Sequence, residues 1–460
     1  MSETLNSEQK ISRVETIVEN HPEVAGLQAF EYFRSKAWDQ KEAFISGELT
    51  ELDLKYPALN QDAIVAIRNP MLDALKPLMS GEKSEKSEAL YDAVEYRYSE
   101  LFMMDMSRIM NSTAASNEDR IEAEKWFVIA NESLYGKPNK DVFSALAKRK
   151  ISERIHQRTN DDESTTQLRN ELNKLIGPID ETEYEPFVPS VELVHRISLL
   201  VRERFSDLVS HIDSTKRYTI DEMVKVLDIS LEKIGAKELG WKAELVPDSS
   251  ALAVSAHKKI VEVGENRQST MARKLKILNI HEIAVHVGRS INAEKAGWTS
   301  ARYGQDSYLK FEEALAVALQ DAYRGRPREH GVDYQLIAGL AYGLDNHTPR
   351  DFNEAYEIMW RIKALEKIDS VKTDPNIGES AKSIAFKRCL RLFRGTTGKQ
   401  KGVVSLKDLA YFDGQESVWS ILKDIKSQDE LDYLFAGKLD NSKEEHQRIA
   451  EQIIMTNRSI

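Results

Sequence analysis

The 460-residue chain predicts a mainly α-helical protein with a small β-sheet, an α+β class. Three observations carry that reading. Apolar residues recur at helical spacing through most of the chain, from Val14 to Ile454. Two clear runs, residues 241–246 and 259–263, alternate apolar and polar side chains as half-buried strands do, with a middle segment at 252–255. Hydrophobic residues make up 41% and charged residues 30%, the balance of a globular protein with a buried core. This length admits two or three domains, or one large unit with a helical extension. The divisions read from the sequence are a helical region over 1–160, a central unit over 161–425 and a C-terminal helix over 426–460.

Composition narrows the classes. A formal net charge of −11 argues against default attraction to nucleic acid or to an anionic membrane. The single cysteine, Cys389, can form no intrachain disulfide and no cysteine-rich metal site. No apolar run approaches 18 residues, and the first twenty residues are polar, so neither a membrane span nor a signal peptide is expected and the setting is expected to be cytoplasmic.

Taken in order, residues 14–101 read as helices broken at His21-Pro22, Tyr56-Pro57, Asn69-Pro70 and the polar stretch 80–87. Residues 117–151 continue as helices around Gly136, and 156–166 are polar enough for an exposed turn. No ligand cluster appears in this half, which reads as a scaffold, a substrate platform or a surface for a protein partner. A helix is expected over 191–208, with His195 near its apolar stripe as a packed histidine, and another over 220–234, with Gly235 and Gly240 as stops. The strands follow, and an edge strand beside a reactive centre can hold an extended peptide by its main chain. Helices are expected over 332–343 and 352–368, with Trp360 buried, and at the end over 417–426 and 429–454.

The chemistry concentrates at residues 275–289, an apolar helical segment with His281, Glu282 and His286. Two imidazoles and one acidic ligand leave a fourth position on Zn²⁺ for water, whose pKa falls from ~15.7 towards ~7. The spacing is H-E-x-x-x-H, however, and on a regular α-helix i and i+5 lie about 140° apart and about 7.5 Å along the axis. Both rings reach one ion only across a widened π-type turn, which the spacing therefore predicts. Residues 308–320 form a second strong helix with Glu312 and Glu313 near its start, and adjacent residues differ by about 100°, so one of the two is expected to face the metal.

Residues 382–407 hold eight lysines and arginines and no acid. Within a chain of charge −11 such a patch suits a carboxylate, and Arg394 is the candidate group to bind it. The run Gly395-Thr-Thr-Gly-Lys399 is too short for a phosphate loop and has Gln400 where a Ser or Thr is required.

The ordered set HEIAVH at 281–286, Arg302-Tyr303-Gly304, FEEALA at 311–316, FRGTTGK at 393–399 and KDLAYFDG at 407–414 resembles the zinc metallopeptidase family of the microtubule-associated tyrosine carboxypeptidases and their bacterial relatives. That resemblance implies a zincin-like core over 161–425, with His281, His286 and Glu313 as zinc ligands and Glu282 as general base. It also makes Tyr303 and Tyr411 candidate oxyanion donors, and Arg302 a substrate-binding arginine beside Arg394. Ala314 stands where the family commonly has glycine. The expected activity is removal of C-terminal residues from a peptide or protein. Tubulin is not carried over as substrate, because the net charge would repel its acidic tails. The other readings are a non-catalytic helical binding protein that keeps a zinc site, and a zinc hydrolase of a non-peptide amide.

Overall fold

In a computed structural model, described for residues 6–80, 83–156, 162–247, 249, 251–370 and 376–459, helices dominate and a small mixed sheet lies beside the segment 275–289. Strand β1 (Arg217–Tyr218) pairs antiparallel with β5 (Thr270–Met271), and the amide of Ala272 donates to the Lys216 carbonyl at 3.0 Å. That pairing anchors the start of the histidine-bearing helix. Between them β2 (Lys242–Val246), β3 (Leu252–Ser255) and β4 (Ile260–Gly264) form a sheet of order β2-β4-β3, with β4 parallel to β2 and antiparallel to β3. Strand β3 is therefore an edge.

Helix starts follow local chemistry. Thr219 caps Ile220–Lys233 in a reciprocal box with Glu222, and Ser84 and Ser87 do the same for Glu85–Met110. Val191–Arg204 packs on Tyr308–Arg324, which also carries the histidine segment on its flank. One apolar cluster runs from Ile11 to Phe435, so the N-terminal helices and the histidine-bearing half share a core. A second cluster joins Ala89, Trp298 and Ala301 to Leu439 and the final helix, Glu444–Ser459.

Several elements differ from expectation. Asn69-Pro70 does not break a helix: Gln61–Leu78 runs through Pro70 and Pro77. An interior proline costs ~3 kcal/mol. Burial of Ile64, Ile67, Met71, Leu75 and Leu78, each contributing ~1.5–3 kcal/mol, exceeds that. The helix at 191 ends at Arg204, before a separate short helix Ser206–Ser210, and His195 is exposed rather than packed. Trp360 is half-buried, its indole N–H donating to Glu357 at 2.9 Å. Residues 157–161 lie outside the described residues. Glu163–Leu175, capped by Asp162, is helix where a turn was expected.

The helix expected over 429–454 is interrupted. It divides into Gln428–Tyr433 and Glu444–Ser459 around a turn-rich loop, in which the Asp440 carboxylate accepts from the Ser442 amide and hydroxyl at 3.1 and 2.6 Å. Among the described residues no helix is long and apolar enough to cross a membrane.

Candidate metal centre

The turn that carries the two histidines is wide. Ala272–Leu278 passes into a π-helical stretch, Asn279–Val287, and then into Gly288–Lys295. With i→i+5 bonding the rings of His281 and His286 come to one face, their centroids 4.9 Å apart at an interplanar angle of 74°. Both are buried, as is Glu282 between them.

Tyr308–Arg324 brings the third group. Glu313 Oε2 lies 3.9 Å from His281 Nε2 and 4.0 Å from His286 Nε2, and one donor atom from each of the three residues falls within 4.8 Å of the others. Donors around a tetrahedral Zn²⁺ with bonds of ~2.0–2.1 Å sit about 3.3 Å apart, so the two measured pairs need to close by about 0.6 Å. Glu313 Oε2 is buried and has no hydrogen-bond partner among the described residues. A buried carboxylate oxygen left without a donor is costly, and a cation between it and the two rings would satisfy it. By that test these residues fit a zinc ion.

The two glutamates divide their tasks. Glu313 faces both rings, whereas Glu312, one position earlier, turns to the far side of His286. The His286 Nδ1–H donates to Glu312 Oε1 at 2.7 Å, the arrangement that fixes a ligating imidazole with Nε2 free. Arg289 donates to Glu312 Oε2 at 3.2 Å and Lys438 to Oε1 at 3.0 Å. Burial alone would raise the Glu312 carboxyl, but Lys438, the His286 ring and Arg289 outweigh it and hold it well below the usual carboxylate range. Nδ1 of His281 lies 2.6 Å from the Gln320 side-chain amide. Burial, with His286 and His330 nearby, keeps His281 well below its ordinary pKa and so neutral. Burial acts in the same sense on His286, but the Glu312 contact overrides it and raises the ring. Burial pushes Glu282 up to about 7, with His286 opposing and Glu313 adding.

The cluster opens on a cleft of about 420 Å³. Edge strand β3 forms one side through Leu252, Ala253 and Val254, and the N-terminal region another through Phe30, Phe33, Arg34 and Trp38. Arg34 reaches across to Glu262 on β4 at 2.5 Å, and Lys258 pairs with Glu31. The third side is cationic. Arg391 holds Asp408 through two nitrogens at 3.0 and 2.6 Å, Arg394 holds the same carboxylate at 3.0 Å, and Lys407 lies 3.9 Å from Glu313 Oε1. Burial would raise Asp408, yet Arg391, Arg394 and Lys407 hold it well below the usual range. Two guanidiniums thus share the buried Asp408 carboxylate, while Lys407 lies closest to Glu313.

The remaining candidates separate. Tyr411 and Arg394 line the cleft. Burial and the nearby Glu313 keep the Tyr411 phenol far above its ordinary pKa, so it remains a donor. Tyr303 and Arg302 are not on the cleft wall formed by the described residues. The Tyr303 ring packs over Gly26, where a Cβ would meet its Cδ1 at 2.7 Å, and its carbonyl accepts from Arg97 at 2.8 Å. Arg302 lies 3.3 Å from Glu294 and 4.6 Å above the Tyr303 ring. Lys438, Arg289, Gln320 and Asp408 were not singled out from the sequence. Arg289, three residues after His286 on its helix, was within reach of a spacing argument; Lys438 was not.

Ala314 meets Gly414. A Cβ at Gly414 would stand 2.2 Å from the Lys310 carbonyl oxygen and 2.8 Å from the Ala314 Cβ, so glycine at 414 makes room for the methyl at 314. Gly414→Ala is expected to force apart the helix of Glu313 and its neighbour, destabilising the protein by about 1–3 kcal/mol. A denaturation midpoint equal to wild type would show that this contact yields freely.

Apolar grooves elsewhere are larger, about 560 Å³ by the last helix and about 760 Å³ between Glu85–Met110 and Asn117–Tyr135. Among the described residues His281, His286 and Glu313 form the one cluster suited to a metal, and neither groove contains it. No protein-family model, no curated protein and no solved structure matches the chain.

Proposed function

We propose that this chain is a zinc-dependent peptidase that shortens peptides or proteins from the C-terminus, working in the cleft between edge strand β3 and the cationic wall. The observation that carries the reading is the unpartnered, buried Glu313 Oε2, 3.9 and 4.0 Å from the ring nitrogens of two histidines on a widened turn. The motif resemblance to the tyrosine carboxypeptidase family adds support. Zinc held there by His281, His286 and Glu313 would supply a Lewis acid for the scissile carbonyl and a water of lowered pKa.

The chain's own groups do the rest. Glu282, buried on the cleft wall and poised near neutrality, takes the water's proton and returns it to the leaving amine. Tyr411 donates its hydroxyl proton in a hydrogen bond to the carbonyl oxygen as charge develops there. Residues 252–254 on β3 hold the substrate main chain in extended form. Arg391 and Arg394, two guanidiniums that share the carboxylate of Asp408, receive the terminal carboxylate, with Lys407 beside them near Glu313.

A non-catalytic zinc scaffold would be favoured by a fourth protein ligand or by N-terminal residues filling the cleft. Among the described residues the cluster has three ligands and the cleft keeps about 420 Å³. We extend the proposal to a cytoplasmic setting, since the one cysteine, Cys389, permits no intrachain disulfide.

The test is a peptide library digested by zinc-loaded protein, with products read by mass spectrometry. Loss of C-terminal residues is expected, and amidated C-termini are expected to react roughly 30-fold more slowly or worse, the effect of ~2 kcal/mol from an unmatched charge contact. Equal cleavage of amidated peptides at internal bonds would discard the C-terminal specificity and keep the peptidase. No peptide cleavage at all would leave the scaffold or a non-peptide amide as the activity to test.

A further inference from the structure

We propose that Lys438 is a positioning residue of the metal centre: acting through Glu312, it fixes the His286 ring so that Nε2 faces Glu313. The inference rests on the metal reading above and assigns a role to the C-terminal segment, which carries no chemistry legible in its sequence.

Glu312 Oε1 accepts from two donors at once, the His286 Nδ1–H at 2.7 Å and the Lys438 ammonium at 3.0 Å, while Arg289 holds Oε2 at 3.2 Å. Lys438 is 3% exposed, Arg289 is fully buried and Glu312 is 2% exposed. Burying charges in this way gains little stability, because apolar side chains of similar volume often do as well. What it does supply is direction. With both carboxylate oxygens held, Glu312 cannot rotate, and the ring bonded to it cannot turn over and exchange its nitrogens for carbons.

The lysine itself has no freedom to wander. Its amide donates to the Ala301 carbonyl at 2.7 Å, and its carbonyl accepts from the Gln305 amide at 3.1 Å. Arg289 donates to the next carbonyl, Leu439, at 2.5 Å. Just before it, a Cβ at Gly437 would lie 3.0 Å from Ala301 and 3.4 Å from Ala293, so the loop is seated closely on the helices around the centre. The interruption of the last helix is what brings Lys438 inward.

Lys438 also lines the cleft, so a substrate contact is the competing role, and the test uses readouts that need no substrate. Zinc affinity is measured on the full chain by competition with a chromophoric chelator, and ligand geometry by the visible absorption of the Co²⁺-substituted protein. Lys438→Met is expected to weaken zinc binding roughly 10–100-fold, the usual scale for a group that orients a ligand, and to shift the Co²⁺ bands. Lys438→Arg should bring both back towards wild type. In a Glu312→Gln background the further effect of Lys438→Met should vanish, since the two act along one path. Should Lys438→Met fail to fold by circular dichroism, Lys438→Gln serves in the same comparisons.

Wild-type affinity and Co²⁺ spectrum in the folded Met variant would overturn the proposal, as would an equal loss with and without Glu312. A wild-type chain that takes up no zinc would instead overturn the metal reading, and this inference with it.

Discussion

Glu282→Gln is expected to keep its zinc and to lose peptide hydrolysis by roughly 10²–10⁴-fold, the range for loss of a positioned general base. Three features single this residue out. It adjoins His281 in sequence, it lines the cleft, and burial lifts its carboxyl to about 7, where it can both accept and release a proton near neutral pH. The amide keeps the size and shape of the side chain but cannot take a proton, and Glu282 is not among the three residues grouped around the metal position. Zinc content by atomic emission and turnover by mass spectrometry are to be measured on the same sample. Full activity with full zinc would remove Glu282 from the mechanism and leave the centre itself standing.

His281→Ala is expected to abolish tight zinc binding. Losing a group that merely orients a ligand weakens metal affinity 10–100-fold, and deleting one of three ligands should exceed roughly 100-fold. A second readout is thermal. A ligand that binds only the folded state stabilises it by ~2.7 kcal/mol at a concentration of 100 Kd, so added zinc should raise the unfolding temperature of wild type and leave the variant unmoved. Equal zinc and an equal thermal response in the two proteins would show that the ion sits elsewhere, whatever activity is found.

Where sequence reasoning succeeded, a short-range rule had one geometric solution. The i to i+5 spacing of His281 and His286 would set the two rings about 140° apart on a regular helix, and the π-helical stretch Asn279–Val287 is the widened turn that this spacing predicts. The strands are of the same kind. Alternation over 241–246 and 259–263 was readable without knowing partners, whereas the parallel pairing of β2 with β4, which leaves β3 as the edge beside the cleft, was not. The errors at Pro70 and in the last helix come from weighing local preference without the core: burial of Ile64, Met71 and Leu78 carries one helix past a proline, and the seating of Leu439 inside a second cluster divides the other. The run Ala436-Gly-Lys-Leu-Asp-Asn-Ser442 carries the turn-forming residues that mark this break.

By itself, then, the sequence determined the helical class, the widened histidine turn and the pair of glutamates from which the third candidate ligand comes, because each follows from spacing within a few residues. The motif resemblance pointed to Glu313, but only the tertiary structure shows Glu313 facing the rings and Glu312 holding His286 from behind. It alone set Tyr411 in the cleft and Tyr303 against Gly26, and brought Lys438 to Glu312 across 126 positions of chain. Those outcomes depend on packing between distant elements, where a rotation of about 100° along one helix or a break in another changes which side chain arrives, and local periodicity does not encode that choice.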